Sequence, residues 1–131
     1  SKQIATHFLD EEKKYDAFTK ISFVYPHAVA SLKVGQGVKS EGSLVISGTK
    51  GYIYVPAPWW KTDYFEVRYE NPQNNKRYFY QLDGEGLRYM LLSFLKAIRQ
   101  KKDFSYVSPE ISGAIIDVIS DFEERKDMVL V

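Results

Sequence analysis

Two prolines, two adjacent indoles and a lysine stand together in Pro56-Ala57-Pro58-Trp59-Trp60-Lys61. An indole can stack on the face of a sugar or a nicotinamide ring, and a neighbouring ammonium can hold a carboxylate or phosphate. Trp59, Trp60 and Lys61 are therefore candidates for lining a substrate pocket. Adjacent indoles can equally fold over a sheet edge or fill a protein contact, where Trp and Tyr are enriched. Arg88 and Tyr89 join the candidates because they open a helix close to strand termini, where a cation can meet an anionic group.

Two glycine-rich segments imitate a dinucleotide fingerprint. In Gly35-Gln36-Gly37-Val38-Lys39-Ser40 the third glycine is replaced by Ser40, and a strand follows where a helix should open. Gly84-Glu85-Gly86-Leu87-Arg88-Tyr89 does precede a helix. There Tyr89 fills a position that must be small, and Glu85 brings negative charge toward a phosphate. Both read as turns, and no cofactor is assigned to this chain. His7 and His27 have no carboxylate at ligand spacing and Cys is absent, so no metal site is assigned. No motif such as a nucleophile elbow nominates a serine, and no catalytic residue is assigned. Asp10-Glu11-Glu12 with Lys13-Lys14 reads as a solvated charge run.

Periodicity gives the elements that must carry these residues. Residues 1–15 read as a short amphipathic helical lead-in, with Ile4 and Phe8 one turn apart and Leu9 beside them. Thr19, Ile21, Phe23 and Tyr25 alternate with Lys20, Ser22 and Val24 as a strand, ended by Pro26-His27. Ala28, Ala30, Leu32 and Val34 line one face of the next. Ser43–Ser47 and Gly51–Val55 form a hairpin through Gly48-Thr49-Lys50-Gly51. Tyr64–Glu70 pairs with Arg77–Leu82 across the turn Asn71-Pro72-Gln73-Asn74-Asn75. Leu87, Leu91, Phe94, Leu95 and Ile98 then recur at helical spacing. Ser108-Pro109-Glu110 starts a second helix whose buried face is Ile111, Ile115, Val118, Ile119 and Phe122. Met128–Val131 is an apolar tail suited to a last strand.

Strands first and helices last predict an α+β fold: one domain over residues 1–131, with an open, largely antiparallel sheet and helices packed on one face. The other face needs a partner, and Tyr64, Tyr78 and Tyr80 are its candidate interface residues. With 18 Lys and Arg against 17 Asp and Glu, the chain shows no basic stripe for nucleic acid. No apolar run reaches membrane-span length. The lack of cysteine fits a cytoplasmic protein. A first residue other than Met is read as a boundary within a longer protein.

The stretch from Asp16 to Val131 resembles the C-terminal domain of the Gfo/Idh/MocA oxidoreductases, the family of glucose–fructose oxidoreductase and inositol dehydrogenase. The resemblance runs through Phe23-Val24-Tyr25-Pro26, Ala28-Val29-Ala30-Ser31-Leu32 and the hairpin Ile46-Ser47-Gly48-Thr49-Lys50-Gly51-Tyr52-Ile53. It continues through Pro58-Trp59-Trp60, Gly84-Glu85-Gly86-Leu87-Arg88-Tyr89 and the tail at Met128-Val129-Leu130. It implies a two-domain parent whose missing N-terminal Rossmann domain binds NAD or NADP and carries a Glu-Lys-Pro segment. It further implies a parent acting on a sugar, cyclitol or related hydroxyl or keto compound, and a homo-oligomer paired through the sheet. The family's Asp/His helix is not matched: His7 and Asp10 differ in order and spacing, so no catalytic role passes to them. On this reading the chain alone is inactive, a wall of the pocket and an oligomerisation surface. A stand-alone dimerising interaction module without catalysis is the alternative, and a sugar-binding domain using Trp59 and Trp60 as a platform is a third.

Overall fold

The first strand is set by Ile4 and Thr6, both fully buried, with half-buried Ala5 between them and exposed Gln3 and His7 on either side. The computed structural model describes residues 1–84, 86–102 and 107–130. In it Lys2–Phe8 is strand β1, not a helix. Ile4 and Phe8 are four residues apart, a spacing that shares a face in a helix and in a strand alike. Thr6 decides between them. It is β-branched, and its hydroxyl meets that of Thr19 at 3.2 Å on the next strand.

The chain divides into two units. The first, Ser1–Ser40 with Val107–Val131, holds β1, β2 (Asp16–Val24), β3 (Val29–Gly35), helix α2 (Pro109–Glu123) and β8 (Met128–Leu130). Its four-stranded sheet runs β3-β2-β1-β8. β1 is antiparallel to β2, pairing Ile4 with Ile21 and Thr6 with Thr19. It is parallel to β8, pairing Ile4 with Met128. The expected strands at 19–25 and 28–34, and the apolar tail as a strand, are present; Val131 lies outside the described residues. Ile4, Ala17 and Ile21 form the apolar core with Thr6 and Thr19. The same face becomes open at β3, where Leu32 and Val34 are exposed.

The β1–β2 connection is built on Asp10. Its carboxylate accepts the backbone N–H groups of Lys14 and Tyr15, each at 3.0 Å. The Tyr15 amide, then that of Lys14, holds the carboxyl below its ordinary range. What reads as a solvated run thus contains the residue that closes the hairpin. α2 begins at Ser108, whose hydroxyl accepts from the Ile111 amide at 3.3 Å. It is tied to β1 by the ion pair of Lys2 with Asp121.

The second unit, Glu41–Tyr106, holds β4 (Leu44–Gly48), β5 (Gly51–Val55), β6 (Tyr64–Tyr69), β7 (Lys76–Phe79) and helix α1 (Leu87–Gln100). Its sheet is an antiparallel meander, β4-β5-β6-β7. The turn at 71–75 is a single 3-10 turn at Pro72–Asn74. Asn71 Oδ1 accepts from the Gln73 amide at 3.0 Å and Asn75 Oδ1 from the Tyr69 amide at 2.8 Å. The α+β class with open, largely antiparallel sheet is what the chain forms, in two sheets where one was expected. Residues 36–43 leave β3 without continuing its ladder, so β4 starts a new one. α1 and α2 cover the expected segments, but Leu91, Phe94, Leu95, Ile98, Ile111, Ile115 and Ile119 are exposed.

Candidate functional site

The register of β6 with β7 creates the site. Tyr64, the first residue of β6, pairs with Phe79, the last of β7. The segment entering β6 therefore lies beside the segment leaving β7. The Tyr80 amide extends the ladder by one bond, donating to the Asp63 carbonyl at 2.8 Å. Between these segments is a cleft of about 660 Å³ lined by Trp60, Lys61, Thr62 and Asp63 on one side and by residues 79–82 with Gly84 on the other.

The entering segment is firmly held. A tight turn closes from the Lys61 amide to the Pro58 carbonyl at 2.9 Å, and the Trp59 amide donates to the Gly42 carbonyl at 2.9 Å. Thr62 is buried, unlike any other described residue of this unit, and its hydroxyl donates to the Tyr64 carbonyl at 3.2 Å. Of the two indoles only Trp60 lines the cleft. Trp59 meets it edge-on, with ring centroids 5.9 Å apart and planes at 88°. The pair cannot act as one flat platform.

Arg88 and Tyr89 do not line the cleft; they grip its rim. Arg88 forms an ion pair with Asp83. The Tyr89 hydroxyl accepts the Asp83 amide at 2.9 Å. The first turn of α1 is thereby fastened to the stretch that supplies Leu82 and Gly84. Glu85 lies outside the described residues. Sequence reasoning found Trp60 and Lys61 but missed Asp63, Phe79 and Gln81. The available signal was the hairpin itself, since antiparallel partners place the residues before one strand beside those after the other.

The interface candidates divide. β7 alternates, so Phe79 and Arg77 lie with Tyr64, Glu66 and Arg68, while Tyr78 lies with Phe65 on the opposite face. Phe65 stacks on Tyr78 at 5.0 Å and lies 6.3 Å from Tyr80. Tyr78 and Tyr80 thus share a surface and Tyr64 faces away from it. The strand, expected over Arg77–Leu82, ends at Phe79; beyond the one further bond from Tyr80, residues 80–82 line the cleft.

The Tyr64 face carries a guanidinium–aromatic cluster. Glu66 accepts from Arg68 Nε at 2.6 Å and from Arg77 Nε at 2.8 Å. Arg68 lies over the rings of Tyr54 and Tyr52 at 4.5 and 5.8 Å, and Arg77 over Tyr64 at 4.7 Å. The two guanidinia, Arg68 foremost, hold the Glu66 carboxyl below the usual carboxylate range. The Tyr52 hydroxyl, and then Glu66, raise the Arg68 guanidinium above its ordinary value.

Neither a protein-family model nor a curated protein matches this chain.

The glycine motifs do not fit a dinucleotide. The Gly37 amide donates to the Ala17 carbonyl at 3.0 Å, and a Cβ on Gly37 would meet the Ala17 Cβ at 2.9 Å. That space is already filled by β2, so those glycines serve chain packing. Gly84 and Gly86 open α1 with positive φ of 76° and 87°. They follow an antiparallel meander, where the fingerprint needs a strand–helix–strand unit with parallel strands. Among the described residues no cluster of His, Asp and Glu could hold a metal ion, and no helix is long and apolar enough to cross a membrane.

Proposed function

We propose that this chain is the C-terminal substrate-pocket and oligomerisation domain of an NAD(P)-dependent oxidoreductase of the Gfo/Idh/MocA type. The substrate is a sugar, a cyclitol or a related hydroxyl or keto compound. The observation that carries the reading is the cleft at the β6–β7 end. Trp60 supplies an apolar ring face, and Lys61, Asp63 and Gln81 supply hydrogen-bonding groups around it. A ring compound with apolar C–H faces and hydroxyls at its edge matches that set. The sequence resemblance supports the same substrate class. Hydride acceptance belongs to a nicotinamide cofactor on an upstream Rossmann domain; the present residues bind and orient.

The second support is the Phe65–Tyr78–Tyr80 face. Ile46, Tyr69 and Tyr78 lie on it exposed, with Ile53, Phe65 and Val67 half-buried beside them. It is a surface suited to a second copy of the chain. A stand-alone dimerising module uses the same face, so the cleft distinguishes the two readings.

The test is kinetic. The coding region upstream of Ser1 is expected to supply a strand–Gly-x-Gly-x-x-Gly–helix unit. In the protein carrying it, Trp60→Ala is expected to raise KM for a polyol substrate roughly tenfold with a smaller change in kcat. An initiator codon within a few residues of Ser1 overturns the oxidoreductase reading, and an unchanged KM overturns the cleft as its substrate site.

A further inference from the structure

Gly42 lies just before β4, outside the segment that carries Trp60, yet it meets that segment twice. Its carbonyl accepts the Trp59 amide at 2.9 Å. A Cβ at position 42 would stand 3.3 Å from Cζ3 and 3.5 Å from Cη2 of the Trp60 indole. Carbon atoms in unstrained contact sit about 3.5–4.0 Å apart. A side chain at 42 would therefore press on the outer ring of Trp60, which would have to shift by a few tenths of an ångström to admit it.

We infer that Gly42 is the seat of Trp60, a positioning residue that fixes where the indole stands in the cleft wall. The inference deepens the reading of the cleft as a substrate site and rests on it for its kinetic arm. Two features isolate space as the reason for glycine. The glycines of this chain with positive φ are Gly51, Gly84 and Gly86. Gly42 is not among them, so no left-handed backbone demands glycine there. The ring it seats is also more than half exposed, so an added methyl moves the indole and leaves the fold in place. Displacing a substrate-facing ring weakens binding through geometry, because contacts tuned to one position are lost when the group shifts by a fraction of an ångström.

The test compares Gly42→Ala and Gly42→Val with Gly113→Ala. Gly113 lies in α2 with nothing within 4 Å of its Cβ position, so it controls for loss of a glycine. The near-ultraviolet circular dichroism of the isolated chain reads the Trp59–Trp60 pair directly, since coupled indoles report their mutual angle. Both Gly42 variants are expected to alter this band, valine more than alanine, with the far-ultraviolet spectrum and thermal midpoint preserved. Gly113→Ala is expected to leave the band unchanged. In the protein with its upstream segment, with myo-inositol and glucose as probes, Gly42→Val is expected to raise KM roughly tenfold while kcat holds. An indole band unchanged in both Gly42 variants overturns the seat. A band that changes while KM does not supports the seat and overturns the substrate-site reading, so the two fail separately. A Gly42→Ala chain that loses its far-ultraviolet signal also overturns the inference, by making glycine a requirement of folding.

Discussion

At the scale of single residues, the second unit sets Glu66 between Arg68 and Arg77. Its carboxylate side chain is 13% exposed, and both its oxygens are engaged by guanidinium groups. Because the folded carboxyl is held below its ordinary value, the cluster stabilises the fold fully above the unfolded Glu pKa of about 4.3. That stabilisation is lost as pH falls through the lower folded value. Both tryptophans, Trp59 and Trp60, belong to this unit, so indole fluorescence can follow it. Thermal midpoints measured this way between neutral and strongly acidic pH are expected to drop on acidification, and Glu66→Gln is expected to flatten the drop. An acid limb unchanged by Glu66→Gln would show that the cluster contributes no pH-dependent stability. In the sequence Arg68 and Arg77 are only members of the paired strands Tyr64–Glu70 and Arg77–Leu82. Their shared acid and their aromatic floor come from cross-strand register, which composition does not report.

At the scale of elements, β1 is the informative case. Ile4 has no exposed surface, and its loss leaves a cavity against Ile21 and the β8 side of the sheet. Ile4→Ala is expected to cost about 2–5 kcal/mol in urea denaturation followed by far-ultraviolet circular dichroism. Lys20→Ala, on an exposed position of β2, is expected to stay within about 0.5 kcal/mol. Equal costs for the two would mean that the β1–β2 face is not the core. The strands from β2 to β6 were readable because alternation over five or more residues has few rivals. The lead-in was not, since the Ile4–Phe8 spacing behind it fits either period. The second helix was readable from its cap, and Ser108 does cap it. The same pattern predicted a buried stripe and found an exposed one, because periodicity identifies an apolar face without identifying what meets it. The cleft was half legible. Unusual composition marked Trp60 and Lys61, while Asp63 and Gln81 are common residues that only strand pairing brings together.

At the scale of the whole molecule, an exposed apolar sheet surface separates self-association from simple solubility. The proposed pairing through the Phe65–Tyr78–Tyr80 face predicts a dimer or larger assembly in sedimentation equilibrium. Tyr78→Lys should shift it toward monomer, since a cation placed in the centre of an apolar contact must be desolvated without a partner. Ser47→Lys, on the opposite face of the same sheet, should leave the assembly intact. A wild-type monomer at high concentration, or equal disruption by both substitutions, overturns the sheet-pairing proposal.

The parallel pairing of β1 with β8 joins residues separated by almost the whole chain, Ile4 with Met128, while residues 41–106 close all their strand ladders among themselves. During synthesis the interior stretch can zip its meander as soon as β7 leaves the ribosome. The opening strand meanwhile holds its β2 edge but has no neighbour on the other side. That strand waits for a partner encoded almost the whole length of this chain downstream, delivered at about 5–20 residues each second. For those seconds an apolar strand edge stands open to any other nascent chain. The interval before β8 emerges is therefore when the β1 edge is most open to misassembly.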